Sequence, residues 1–182
     1  PEYCYGQFPR KQDEDNTEAC CSAGLILLAL WLTQGGLVDY WDDIDRYIRN
    51  HMTALQMTDT RWIYQIPENR SRWTYPDPQV EATIAPLVGN FGGWATGNEW
   101  HDPRLGPGIM TCCVGNCTRA IFYVWDKMLD CSGGRLRVHL MLNRASRWAD
   151  LSSYRPYEGK FELKLKTDCR QILVRAPEWV AG

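Results

Sequence analysis

The apolar positions fall into helical stretches over the first two thirds of the chain, and then the period changes. Residues 17–33 are apolar on nearly every face, with Ala19, Cys20, Ala23, Leu25, Ile26, Leu27, Leu28, Leu30 and Trp31. That pattern predicts a buried helix rather than an amphipathic one. Asp15 and Asn16 are good N-cap types ahead of it, and Gly35-Gly36 ends it. Residues 38–52 predict a second helix, with Val38, Trp41, Ile44, Tyr47 or Ile48, and His51 on one stripe. Asp39, Asp42, Asp43 and Arg46 take its outer face as a solvated charge cluster, and His51 reads as a helix-surface residue. The short connection makes the two helices antiparallel neighbours. Residues 115–129 predict a third helix with Ala120, Ile121, Tyr123, Val124, Trp125 and Met128 on its apolar side, stopped by Ser132-Gly133-Gly134.

After Gly134 the period drops to two. Leu136, Val138, Leu140 and Leu142 alternate with Arg137, His139 and Met141, which places His139 on a wet face. Phe161, Leu163 and Leu165 alternate with Lys160, Glu162, Lys164 and Lys166, and Ile172 with Val174 gives a shorter run. These read as antiparallel strands. Between the second and third helices, residues 55–109 hold six prolines and read as mostly irregular, a length that usually marks a functional loop. Its most site-like part runs from Gly92 to Asp102, where aromatic rings mix with hydrogen-bonding groups. The expectation is a mixed α and β chain, helical over 1–133 and β over 134–182. Three or four strands leave open edges, and the chain opens at Pro1 without a methionine. Both features favour a piece of something longer.

Composition narrows the function classes. The 182 residues are 45% apolar and 23% charged, with a net charge of -2, so nothing argues electrostatically for nucleic acid. The longest apolar run, from Leu25 to Leu32, is too short for a bilayer, which needs roughly 20 residues. Eight cysteines raise the question of disulfides. The chain is longer than most disulfide-dense scaffolds, and two Cys-Cys neighbours suit ordinary cross-links poorly. A reduced, metal-binding set is the preferred reading, and reduced thiolates favour the cytoplasm.

Cys112-Cys113 runs into the third helix, where first-turn N–H groups favour thiolates. Glu18-Ala19-Cys20-Cys21 stands at the start of the first helix. Zinc takes four Cys, His or carboxylate ligands in a tetrahedron, and Glu18, Cys20, Cys112 and Cys113 supply four. Residues two apart on a regular helix point about 200° apart. Glu18-Ala19-Cys20 should therefore be non-helical or only entering its helix, and Cys112 and Cys113 should precede theirs.

These residues resemble a known family. Glu18-Ala19-Cys20, followed by Gly24 and a long apolar helix, is similar to the Glu-Thr-Cys-Ala motif of the β-L-arabinofuranosidases, glycoside hydrolase family 127 and relatives. Cys112-Cys113-x-x-Asn116-x-x-Arg119 resembles that family's Cys-Cys-Pro-Pro-Asn-x-x-Arg, with Val114-Gly115 in place of Pro-Pro. Trp148, Tyr157-Glu158-Gly159-Lys160 and Arg175-Ala176-Pro177-Glu178-Trp179 look like the start of the family's β-sandwich. The resemblance implies the C-terminal part of an (α/α)6 barrel over 1–133 and partial β-sandwich strands from 134. It implies a zinc site of Glu18, Cys20, Cys112 and Cys113, with Cys112 as nucleophile and Glu2 as general acid/base. It implies an oligosaccharide substrate, for which Trp94, Trp100 and His101 are candidate contacts, and a parent chain with further N- and C-terminal parts. Arg119 is a candidate to neutralise the thiolates. The alternative is a structural zinc or a non-catalytic carbohydrate-binding module.

Overall fold

The computed structural model describes residues 18–93 and 111–180. Helix α1 (Ala19–Gln34) buries Ala19, Ser22, Ala23, Ile26, Leu27 and Leu30, a stripe at spacings of three and four. The opposite face keeps Leu28 and Trp31 exposed. The helix ends as expected. Gly36 adopts φ +71°, and Gly35, Gly36 and Leu37 return N–H bonds to Trp31, Thr33 and Leu32.

Helix α2 (Trp41–Tyr47) starts where Asp39 accepts from the Trp41 N–H at 3.0 Å. It continues as one π-helical turn (Ile48–Met52) and a last α turn, α3 (Thr53–Leu55). The expected outer face is not wholly solvated. Asp45 is buried and paired with Arg49 at 2.7 Å, while Asp42 accepts from Arg175 and from the Glu178 N–H. His51 also turns inward, with Nδ1 2.7 Å from the Ser22 hydroxyl.

Residues 55–93 are more regular than their prolines suggested. They form α4 (Arg61–Gln65), α5 (Pro67–Arg70), α6 (Pro78–Ile84) and a short 3₁₀ turn (Ala85–Leu87). Pro67 and Pro78 begin helices rather than break them, because the first helical N–H needs no partner. The Asp77 carboxylate caps α6 by accepting from the N–H groups of Gln79 and Val80. Met57, Ile63, Tyr64 and Ile66 give this subregion its own small core. Glu81 draws in the hydroxyls of Thr60 at 2.9 Å and Tyr64 at 2.8 Å. The segment then returns to α1, since Gly93 accepts from the Ala19 N–H at 2.9 Å.

Helix α7 (Thr111–Lys127) packs against α1 through Cys113, Cys117, Ala120 and Val124, all buried. Small side chains on both sides of the seam let the backbones approach closely. The Cys117 thiol donates to the Ala19 carbonyl at 3.5 Å, so the two helices begin side by side.

The helix stops before Leu129. Leu129–Ser132 is strand β1, paired antiparallel with β2 (Arg135–Val138). Gly133 and Gly134, at φ +57° and +75°, are the two central residues of that hairpin rather than a helix stop. Sheet one runs β1-β2-β6, with β6 (Gln171–Val174) parallel to β2, a departure from the antiparallel expectation. Sheet two is antiparallel throughout, β3 (Arg144–Ala145), β4 (Ala149–Ser153) and β5 (Phe161–Leu165). Leu136, Val138 and Leu140 join Ala149 and Leu151 in one core with α1 and α7. His139 is not on a wet face. It stacks on Trp41 with ring centroids 4.7 Å apart and bonds Asp130 at 2.8 Å. The class is mixed α and β, as expected. Among the described residues the helices close no barrel.

Candidate metal centre

Two helix starts meet to build the site. Glu18 is the residue before α1 and has extended backbone, and Cys20 lies in the first turn. This agrees with the geometric requirement on residues two apart. Cys112 and Cys113 occupy the first turn of α7 rather than preceding it. Adjacent helical residues diverge by only about 100°. Both thiols therefore still reach α1, with their sulfurs 3.9 Å apart.

One ligand atom from each of Glu18, Cys20, Cys112 and Cys113 falls in a single group, all within 4.8 Å of one another. The Cys20 and Cys113 sulfurs are 3.2 Å apart. The Glu18 Oε1 atom is 3.7 Å from Cys113 and 4.0 Å from Cys112. Cys113 is buried, Glu18 and Cys20 are half-buried, and Cys112 is exposed. The set can hold a metal ion, and its three sulfurs suit a soft, thiophilic one.

Burial pushes the Cys20 thiol up, against the opposing pull of the Asn116 amide, and pushes Cys113 up far more strongly. Burial also takes Cys117 up to about 12. Left to themselves these thiols stay protonated and neutral. A cation among them reverses that balance, because a coordinated thiol is deprotonated outright. The macrodipoles of α1 and α7 act in the same direction, with both positive ends at the cluster.

No family model, curated protein or solved structure matches the chain. The site is therefore read from its own atoms.

Asn116 carries a role that the sequence reading did not assign. Its amide donates to the Cys20 sulfur at 3.3 Å and so orients that ligand from outside the cluster. The signal was its place one helical turn after Cys113. Cys21 lies at the margin, 4.0 Å from Glu18 Oε2. Cys117 is not among the four. Its thiol is turned to a backbone carbonyl instead. Among the described residues no two cysteines are joined by a disulfide. Arg119 is exposed on α7. Glu2, Trp94, Trp100 and His101 lie outside the described residues. Among the described residues no helix is long and apolar enough to cross a membrane.

Proposed function

We propose that Glu18, Cys20, Cys112 and Cys113 bind one zinc ion in the catalytic region of a retaining glycoside hydrolase acting on β-L-arabinofuranosides. The observation that carries the metal part is the convergence of four ligand atoms from two separate helix starts. Two sulfurs 2.3 Å from a tetrahedral zinc stand about 3.8 Å apart. The spacings of 3.2 and 3.9 Å between sulfurs bracket that edge, and the Glu18 oxygen, at 3.7 and 4.0 Å from two sulfurs, lies somewhat beyond the oxygen–sulfur edge of about 3.5 Å. Three sulfurs and one carboxylate suit zinc better than the oxygen-seeking calcium or magnesium.

The sugar and the reaction rest on the resemblance of the Glu18-Ala19-Cys20 and Cys112-Cys113 motifs. On this reading the helices belong to an (α/α)6 barrel and the two sheets to the start of a sandwich. The exposure of Cys112 supports its role, since among the three ligand thiols it alone faces solvent. Bound zinc would keep that sulfur deprotonated at neutral pH. The Cys112 thiolate attacks the anomeric carbon while Glu2 gives its proton to the leaving oxygen. The glycosidic C–O bond breaks and a C–S bond forms. Glu2, now a carboxylate, takes a proton from water as the water oxygen displaces sulfur. Two inversions retain the configuration, with sulfur in place of one carboxylate of the usual pair. Trp94, Trp100 and His101 are the candidate contacts to the oligosaccharide.

A structural zinc is the second reading, because four protein ligands complete a tetrahedron and closed sites normally do no chemistry. One set of measurements separates them. Zinc per chain is measured by mass spectrometry on wild type and Cys20→Ser, and release of an aryl group from an aryl β-L-arabinofuranoside on wild type and Cys112→Ser. One zinc, lost in Cys20→Ser, with hydrolysis lost in Cys112→Ser, is the expected result. Zinc without hydrolysis in wild type leaves the structural reading. Wild type without zinc refutes both.

A further inference from the structure

The outer face of sheet one carries a basic pocket that the metal centre does not use. Paired strand residues share a face, so Ser132, Arg135 and Gln171 form one row across β1, β2 and β6, and Asp130, Arg137 and Leu173 form the next. Leu136 and Val138 alternate with the arginines on β2 and point the other way, into the core. The first row, with Gly133, Arg137 and Arg170, lines an open pocket of about 630 Å³. That volume suits a small molecule rather than a bare ion. Three of the six lining residues are arginines, and none of the six is acidic.

The three guanidiniums are held differently. Arg137 donates to Asp130 at 3.0 Å, and Asp130 also bonds His139 at 2.8 Å. That carboxylate offsets one of the three charges. Arg170 lies across the hairpin tip. Its backbone N–H donates to the Gly134 carbonyl at 2.8 Å and its guanidinium to the Gly133 carbonyl at 2.6 Å. Gly134 makes room for it, since a Cβ there would stand 2.8 Å from the Arg170 Nε atom. A carbonyl orients this guanidinium without neutralising it. Arg135 is exposed, and among the described residues no hydrogen bond or ion pair holds its side chain. Arg135 and Arg137 leave β2 on the same face, about 7 Å apart along the strand. Two positive charges thus stand uncompensated in one concavity, with a hydroxyl and an amide beside them. Such a concavity concentrates anions. Planar guanidinium forks match the paired oxygens of a carboxylate or a phosphate.

We propose that this pocket binds the oxyanion group of a small acidic ligand, a carboxylate or a phosphate. Arg170 and Arg137 hold the group from fixed positions, and Arg135 closes on it from the free side. Ser132 and Gln171 donate to its remaining oxygens. The site shares no residue with the metal centre, so either can fail without the other.

The test is a ¹H–¹⁵N NMR titration of the 182-residue chain with glucuronate, inorganic phosphate and neutral glucose at matched ionic strength. The expected result is saturable movement of the Ser132, Arg135 and Gln171 amide signals with at least one of the two anions, and none with glucose. The tighter anion identifies the group as carboxylate or phosphate. Arg135→Gln removes one charge-assisted fork and weakens that binding about tenfold or more, with the rest of the spectrum unchanged. Arg61→Gln, at an exposed arginine outside the pocket, leaves the affinity at the wild-type value. Added sodium chloride weakens binding, because exposed charges are screened. The proposal is overturned by shifts that never saturate, by glucose binding as well as the anions, by silence with both anions, or by wild-type affinity in Arg135→Gln.

Discussion

Withdrawing the metal is the sharpest test of the site, and its size follows from the layout of the ligands. Cys20 and Cys113 are 93 positions apart in the chain and 3.2 Å apart in the fold. An unfolded chain that gathered the same ligands would close a loop of that length, at a cost of about 4 kcal/mol. On the proposed reading, zinc would therefore bind the folded chain in strong preference to the unfolded one. At free zinc a hundredfold above its dissociation constant, the folded state gains about 2.7 kcal/mol. For a chain of this size each kcal/mol moves Tm by about 2–4 °C, so chelation lowers Tm by about 5–10 °C. The assay is differential scanning calorimetry of wild type and Cys20→Ser, each with zinc and with excess chelator. Wild type should show the shift and Cys20→Ser should not. A wild-type Tm indifferent to chelator refutes the reasoning, and so does a Cys20→Ser protein that keeps the full shift.

Other tests follow from neighbouring features. Ala120→Leu overpacks the buried seam between α1 and α7, with an expected loss of about 1–3 kcal/mol in urea unfolding and weaker zinc binding by competition titration. Cys117→Ser keeps a hydroxyl for the Ala19 carbonyl, so zinc content should stay at wild-type level; a loss of zinc would place Cys117 among the ligands. Burial works against ionisation of Asp42, yet the Glu178 N–H and the Arg175 guanidinium outweigh it and hold the carboxyl below the usual carboxylate range. A depressed folded-state value means stability that is present above the ordinary carboxylate pKa of about 4 and lost as the pH falls through the lower one. Asp42→Asn should therefore flatten the acid limb of a Tm-against-pH curve, and an unchanged limb would count against the pair.

The four residues that could hold a metal ion were legible because their chemistry is local. A Glu-x-Cys at one helix start and a Cys-Cys at another can be read without knowing the packing. The first helix and the Gly35-Gly36 stop were legible for the same reason. What misled was punctuation with two meanings. Pro67 and Pro78 looked like breakers but occupy first helical positions, with Asp77-Pro78 as the overlooked sign. Gly133-Gly134 looked like a helix stop but turns a hairpin, which hid β1 and moved the end of α7 forward. Strand β4 (Ala149–Ser153) lacks a strong alternation of Val, Ile or aromatic residues and was not anticipated. The parallel pairing of β6 with β2 depends on where a distant strand docks, which no local pattern specifies. His51 was read as a helix-surface residue although it lies on the apolar stripe of its helix, and His139 sat at a position that an alternation assigns to solvent. A buried hydroxyl in one case, and a tryptophan face with a carboxylate in the other, decided otherwise.

The small side chains between α1 and α7 have a kinetic consequence. Glu18 and Cys20 sit at the start of one helix, Cys112 and Cys113 at the start of the other, and the packed seam that includes Ala19, Cys117, Ala120 and Val124 helps keep them in register. A slip of α7 by one residue moves its thiols about 1.5 Å along the axis, a large part of a metal–sulfur bond. An ion held there leaves when the helices part. If zinc is the ion held there, the rate at which a chelator strips it from the native chain would become a clock for how often that seam opens.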